Sequence, residues 1–101
     1  MTIMTRHASV ERFDRISKII DIFNGDFGET IMRVKDEKDG HWQELTTNGV
    51  FVVKGRDNVV ITMFICSIKQ ANYFVAASGK MLTKNQWKRI RNNQKYIAEC
   101  Q

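Results

Sequence analysis

Proline is absent from this chain of 101 residues, and cysteine and histidine occur only twice each. Cys66 and Cys100 form no CxxC pair, and two histidines are too few to complete a Cys/His zinc site. We therefore expect no metal and no cofactor. Two cysteines without a pairing motif are typical of a reducing compartment, which predicts a cytoplasmic protein.

Long apolar runs are missing as well. No segment approaches the roughly 20 consecutive apolar residues that cross a bilayer. The first residues contain neither the apolar core nor the small-residue cleavage site of a signal peptide. We therefore expect no membrane partner. The hydrophobic fraction of 43% suffices for one packed core, and the length is that of one domain, so the sequence predicts a single domain over residues 1–101.

Acidic residues are nearly absent from the second half of the chain. Residues 58–101 carry seven Lys and Arg but one acid, Glu99, whereas residues 1–57 carry nine basic and ten acidic residues. This asymmetry predicts one surface of strong positive potential. A polyanion such as RNA is the favoured partner of such a surface. An acidic protein and a merely solvated face are the alternatives.

The first predicted element is a helix over about residues 9–24. Apolar residues recur there every three or four positions, at Val10, Phe13, Ile16, Ile20 and Phe23. This spacing draws one apolar stripe along a helix. Gly25 follows at the position where helices often end in a left-handed residue.

Four short segments rich in β-branched and aromatic residues come next, at about 30–34, 41–46, 50–54 and 59–66. The turn sequences Asp39-Gly40 and Asn48-Gly49 predict two-residue hairpin turns, and residues 55–58 predict a third turn. Successive tight turns favour an antiparallel meander. The fourth segment is almost continuously apolar, which predicts a central strand covered on both faces.

Two elements complete the prediction. Residues 67–78 fit either a short helix or a fifth strand, with the helix slightly favoured. A final helix is expected from about residue 83 to residue 98, with Thr83 as its N-cap. The predicted fold is α+β, with an N-terminal helix, an antiparallel sheet of four or five strands and a basic C-terminal helix.

The basic last helix carries the strongest functional signal. Four of its cations are spaced 4, 3 and 4 residues apart, which places them on one helical face: Lys84, Lys88, Arg91 and Lys95. Arg89 also belongs to this basic segment but lies off that line. If all four aligned cations met phosphates, the logarithm of the binding constant would fall with the logarithm of salt concentration with a slope of roughly −3 to −4.

Several hydrolytic templates are missing: the GxxxxGK[ST] phosphate loop, the GxSxG elbow and the HExxH metal helix. RNA cleavage requires less, because the 2′-hydroxyl is an internal nucleophile. A base, an acid and cationic groups around the phosphate are enough, without a metal. Histidine suits the proton transfers, and Arg or Lys stabilises the developing charge. His7 and His41 are the only histidines, and either could serve.

The segment His7-Ala8-x-x-Glu11-Arg12, ahead of a β-meander ending in Val60-Ile61-Thr62, resembles the BECR group of small nucleases. That group covers barnase-like, EndoU-like, colicin-type and RelE-type ribonucleases. In it an early helical histidine, basic residues and a late strand Ser or Thr contribute to the site. The resemblance, over residues 5–66, implies a site of His7, Arg12 and Thr62, with Lys54 or Arg56 nearby.

The function that these patterns predict is RNA binding, with metal-independent, toxin-like ribonuclease activity as the possibility that the resemblance implies. The alternative is a non-enzymatic inhibitor or regulator that uses the same basic surface to engage nucleic acid or an acidic partner.

Overall fold

The computed structural model describes residues 6–100, with side chains from residue 10 onward. Helix α1 spans Arg6–Phe23 and is followed by the strands β1 (Thr30–Lys35), β2 (Trp42–Thr46), β3 (Val50–Lys54) and β4 (Val60–Ile65). Helices α2 (Ile68–Ser78) and α3 (Lys84–Asn93) come next, and two 3₁₀ turns, Gln94–Tyr96 and Ala98–Cys100, end the described chain. The predicted α+β fold is confirmed, with four strands.

The four strands form one antiparallel sheet in the order β1-β2-β3-β4, which is the predicted meander. The register sorts the side chains of neighbouring strands onto two faces. Leu45, Phe51 and Phe64 lie in one row on the first face, and Glu44, Val52 and Met63 lie in one row on the second. Successive side chains of a strand point to opposite faces of the sheet, so the same three strands contribute one row to each face.

Each face of the sheet supports its own hydrophobic core. On the first face α2 and α3 pack over the sheet, and the buried residues are Met32, Leu45, Phe51, Cys66, Ala71, Phe74, Leu82 and Ile90. On the second face α1 and the C-terminal turns pack over it, and the buried residues are Ile19, Val50, Val52, Met63, Ile65 and Cys100. The sheet is therefore the middle layer between helices.

The prediction that the fourth strand is central was wrong, because β4 lies at the edge of the sheet beyond β3. Its apolar character has another cause. Met63 and Ile65 belong to the core under α1, while Phe64 packs against the core under α2 and α3. An edge strand that is covered on both faces by helices needs apolar residues at successive positions, as a central strand does.

The first hairpin also differs from its prediction. Asp39-Gly40 does not form a two-residue turn, since β1 ends at Lys35 and β2 begins only at Trp42. The loop closes through hydrogen bonds from the Gly40 N–H to the Asp36 carbonyl and from the Asp36 N–H to the His41 carbonyl, both 2.8 Å. Gly40 has a positive φ but Asp39 does not, whereas a type I′ turn needs both. The second hairpin has a three-residue loop, in which Gly49 is the residue with positive φ (+82°).

The helical prediction for residues 67–78 is confirmed by α2. Its Ser67 N-cap forms a reciprocal capping box with Gln70, and Gly79 ends it in the left-handed conformation. Thr83 caps α3 in the same way with Gln86, as predicted. Among the described residues, no helix has the length and apolar character that crossing a membrane requires.

The last helix is shorter than predicted, because α3 ends at Asn93 and not near residue 98. The side-chain Nε2 of Gln94 donates to the Ile90 carbonyl at 2.7 Å. That carbonyl is the one that the Gln94 backbone N–H would bind in a continuing α-helix. The backbone N–H of Gln94 binds the Arg91 carbonyl instead, and the chain tightens into a 3₁₀ turn.

Candidate nucleic-acid interface

Three cations of α3 lie together on its exposed side. Lys84, Lys88 and Arg91 are all exposed, whereas Ile90 is 1% exposed and faces the core. At about 100° per residue the three cations fall within a sector of about 60°. We call this set, Lys84, Lys88 and Arg91, the α3 strip. It is the part of the predicted line of four that lies on a continuous helix.

The fourth predicted cation, Lys95, leaves that line because it lies in the 3₁₀ turn after α3. It lines a groove of about 350 Å³ together with Arg89, the residue predicted to lie off the line. We call this the α3 groove, and its main lining residues are Phe23, Arg89, Asn92, Asn93, Lys95 and Tyr96. Around the helix axis, Asn92 and then Arg89 lie next to the α3 strip. The strip and the groove therefore form one continuous surface.

Two side-chain amides, one buried and one half-buried, hold this surface on the sheet. Asn93 is 3% exposed and donates from Nδ2 to the Asn48 carbonyl at 2.7 Å. Gln94 donates from Nε2 to the Cys66 carbonyl at 3.1 Å. The loop between β2 and β3 accepts Asn93 because Gly49 has no side chain: a Cβ there would lie 2.6 Å from the Asn93 Nδ2. The basic surface is thus fixed to the ends of β2, β3 and β4.

The cations of this surface form no ion pair with any residue that the structure describes. In the described part of the chain, no carboxylate lies within 4.0 Å of the five cations, and the ion pairs found there involve Glu44 and Asp39. The sequence explains this, since residues 59–98 contain neither Asp nor Glu. The partner of Arg89 is neutral, the Asn48 Oδ1 at 3.3 Å. Five exposed cations on one surface produce a strong local positive potential.

Lys54 and Arg56, which the resemblance to the BECR group places near the cleavage site, are two further cations predicted to contact RNA. Lys54 ends β3, while the α3 groove lies beyond the start of that strand, roughly 14 Å away along a five-residue strand. The Lys54 Nζ lies 2.9 Å from the Glu44 Oε1, so its charge is already compensated. Arg56 is exposed in the turn between β3 and β4. The structure does not bring either residue to the α3 surface.

Glu44, at the centre of β2, is the acid that pairs with cations of the two neighbouring strands. It is 3% exposed, and its second oxygen lies 3.1 Å from the Nε of Arg33, which also stacks on Trp42 at 4.3 Å. Burial alone would raise the pKa of Glu44. Hydrogen bonds from Lys54 and Thr30, with the nearby charges of Lys54 and Arg33, outweigh that effect and hold the pKa below its ordinary value. Arg33 and Lys54 therefore neutralise a buried carboxylate.

Two of the residues predicted for RNA cleavage, Thr62 and His41, lie apart on the sheet. Thr62 is 6% exposed, and its Oγ1 accepts a 2.7 Å hydrogen bond from the Nη2 of Arg15. His41 precedes β2, and its Nδ1 lies 3.2 Å from the Asp39 Oδ2. Because β3 separates β2 from β4, the two backbones are roughly 10 Å apart.

The other two residues of that predicted site lie on α1. Arg12 is half-buried one turn before Arg15. The side chain of His7 lies outside the described residues. Ribonuclease activity thus stays a prediction of the sequence, without a convergent arrangement of His41 and Thr62 to carry it.

The groove contains residues that the sequence did not connect with one another. Phe23 comes from the end of α1. Two of the groove's lining residues, Arg89 and Asn93, are held by Asn48, which lies outside the groove in the loop between β2 and β3. These residues are far apart in sequence, and no local pattern marks their proximity. The signal that was present is the Asn92-Asn93-Gln94 run, whose amides either line the groove or fix it to the sheet.

No three His, Cys, Asp or Glu side chains converge as a metal site within the described part of the chain. Comparison with family models, with curated proteins and with solved structures gives no match to this chain. Its function is therefore inferred from the geometry and charge of the surface described above.

Proposed function

We propose that this protein binds RNA through the α3 strip and the α3 groove. The observation that supports the proposal is the set of five exposed cations on one surface anchored to the sheet, with no carboxylate of the described residues within ion-pair distance. Like charges three or four residues apart on a helix repel one another. A phosphate backbone laid along α3 relieves this repulsion and releases counterions, which favours binding.

The uncharged groups of the surface favour a nucleic acid over an acidic protein. Tyr96 and Asn92 lie beside the cations Arg89 and Lys95 in the groove. Aromatic rings stack on bases, and amides bind their edges, so this combination is typical of RNA-binding surfaces. We place the activity in the cytoplasm, because Cys66 and Cys100 are both unpaired thiols, as is usual in a reducing compartment.

The test is the binding of a labelled RNA measured by fluorescence anisotropy at low salt, about 50 mM. The double variant Lys88→Glu with Arg91→Glu reverses two charges of the strip, and we expect it to abolish binding. The matched control is Lys38→Glu with Arg56→Glu, which makes the same change in net charge at two exposed turn positions far from α3. We expect the control to bind nearly as well as the unchanged protein.

Circular dichroism establishes that both double variants are folded, since a Glu in the last turn of α3 is mildly unfavourable to the helix dipole. If the two variants weaken binding equally, affinity depends on net charge alone and the assignment to α3 is wrong. If the unchanged protein binds no RNA at low salt, the proposed function is wrong, and an acidic protein becomes the remaining partner for the surface.

A further inference from the structure

The α3 groove is a concave site with walls from three parts of the chain. Phe23 comes from the end of α1, Arg89 and Asn92 come from α3, and Tyr96 comes from the 3₁₀ turn. The volume, about 350 Å³, lies at the lower end of the range for small-ligand sites in proteins. A space of this size admits one small planar group and its substituents, whereas a duplex can only lie across its mouth.

The groups in the groove match the parts of a nucleotide. Arg89 and Lys95 are exposed cations that can bind a phosphate. Tyr96 is half-buried and packs edge-on against Phe23, with ring centroids 6.4 Å apart, so its position is fixed. Asn92 is exposed, and its amide makes no hydrogen bond within the described part of the chain. An unused amide offers both a donor and an acceptor to the edge of a base.

Lys95 lies beside the aromatic ring of the groove. In the structure its Nζ lies 4.9 Å from the centroid of the Tyr96 ring, which is a cation–π distance. The lysine chain is flexible, so its ammonium can exchange the ring for a nearby phosphate. The exchange replaces a weak contact with an ion pair and leaves the ring free to stack on a base.

We infer that the α3 groove holds one unstacked nucleotide of a single-stranded RNA, with its base on Tyr96 and its phosphate between Arg89 and Lys95. This inference rests on the proposed function, because the α3 strip supplies the contacts to the rest of the backbone. A base in a duplex is already stacked and paired, and entering the groove would break both interactions. The protein therefore prefers single-stranded RNA to double-stranded RNA, a preference that the strip alone would not give.

The experiment compares two labelled RNAs of the same sequence, a single strand of about 12 nucleotides and its duplex. We expect the unchanged protein to bind the single strand at least about fivefold more tightly, the lower end of what stacking one base contributes. Tyr96→Leu should lose about this factor for the single strand and leave duplex binding unchanged. Tyr73→Leu is the matched control, since Tyr73 is an exposed tyrosine of α2 outside the groove, and it should change neither affinity.

A second pair of variants avoids the packing role of Tyr96. Asn92→Asp places a negative charge in the groove at an exposed position, and Asn85→Asp places the same charge on α3 outside it. We expect Asn92→Asp to weaken single-strand binding at least about fivefold more than Asn85→Asp does. This result keeps the test valid even if Tyr96→Leu fails to fold.

The outcomes separate the two proposals. Equal affinity of the unchanged protein for single strand and duplex overturns the nucleotide groove and leaves RNA binding by the strip intact. Equal effects of Asn92→Asp and Asn85→Asp overturn it as well, because the groove then acts only through charge. Failure to bind either RNA overturns the proposed function itself.

Discussion

Arg15 lies across the free edge of β4, where its Nε donates a 3.2 Å hydrogen bond to the Met63 carbonyl. The Cys66 N–H bonds inward to the Gly49 carbonyl, so the alternation of an antiparallel ladder directs the Met63 carbonyl outward. The same guanidinium donates to Thr62 and lies 4.2 Å from the Phe64 ring. A side chain of α1, on one face of the sheet, thus reaches around the edge strand and occupies one of its outward carbonyls. Exposed strand edges pair with other chains, and this contact opposes such pairing.

Replacing Arg15 should therefore affect both stability and association. We expect Arg15→Met to lower the free energy of unfolding by about 1–3 kcal/mol, because the buried Thr62 hydroxyl loses its partner. We also expect self-association through the uncovered edge. Urea denaturation and sedimentation velocity measure the two effects, with Lys18→Met, at an exposed position of the same helix, as the control. Equal stability of the two variants, both monomeric, would show that Arg15 does not close the edge.

Glu44 makes the stability of the fold depend on pH in the acidic range. Its pKa is lowered in the folded state, so its contribution to stability is complete above the ordinary carboxyl pKa and is lost as the pH falls through the folded value. We expect Glu44→Gln to cost about 1–3 kcal/mol near neutral pH and the difference to shrink below about pH 4. Denaturation across a pH series measures it. Glu37→Gln, in the exposed β1–β2 loop, should have no such effect, and a pH-independent loss in Glu44→Gln would contradict the pKa argument.

Gly49 is required by the contact that anchors α3. Gly49→Ala meets two costs: a φ of +82°, and a Cβ 2.6 Å from the buried Asn93 amide. Gly40→Ala meets only the first, with a φ of +74° and no atom within 4 Å of its Cβ. We expect Gly49→Ala to be less stable than Gly40→Ala by about 1 kcal/mol or more, the value of the disturbed Asn93 hydrogen bond. Thermal unfolding measures the difference. Equal losses of stability in the two variants would show that the Asn93 side chain moves aside without cost.

The thiol of Cys66 should be unreactive in the folded protein. Burial raises the pKa of its thiol to about 12, so the reactive thiolate is scarce under ordinary conditions. In a Cys100→Ser variant, which leaves one thiol, we expect Ellman's reagent at about pH 8 to react only as fast as the protein unfolds. Complete reaction on mixing, without denaturant, would place Cys66 at the surface.

The elements that depend on local patterns were predicted from the sequence. The helical spacing of apolar residues predicted α1, and the capping residue Thr83 predicted the start of α3. The stripe did not predict the buried face of α1, because Val10, Phe13 and Ile20 are exposed and the fully buried residue is Ile19. The position of β4 could not be obtained in this way. Its apolar run indicates that both of its faces are covered. It does not indicate whether one strand or two pair with it, and that number decides whether it lies at the edge.

The candidate site divides in the same manner. The spacing of Lys84, Lys88 and Arg91 suffices to align them, because all three lie within one helix. The groove depends on the end of this helix, where the Gln94 side chain donates a hydrogen bond to the Ile90 carbonyl. It also depends on Phe23, which only the tertiary fold brings to the same place. The sequence carries no signal for either contact, whereas the spacing of the cations predicts one continuous helix.

The most direct test of RNA binding by the α3 surface is the salt dependence of the binding constant. If four or five cations meet phosphates of a single strand, the slope of log K against log salt is roughly −3. Arg91→Gln should make the slope less negative by about 0.7, the share of one phosphate contact, and Arg56→Gln should leave it unchanged. A slope near zero for the unchanged protein, or the same slope in Arg91→Gln, would contradict the account.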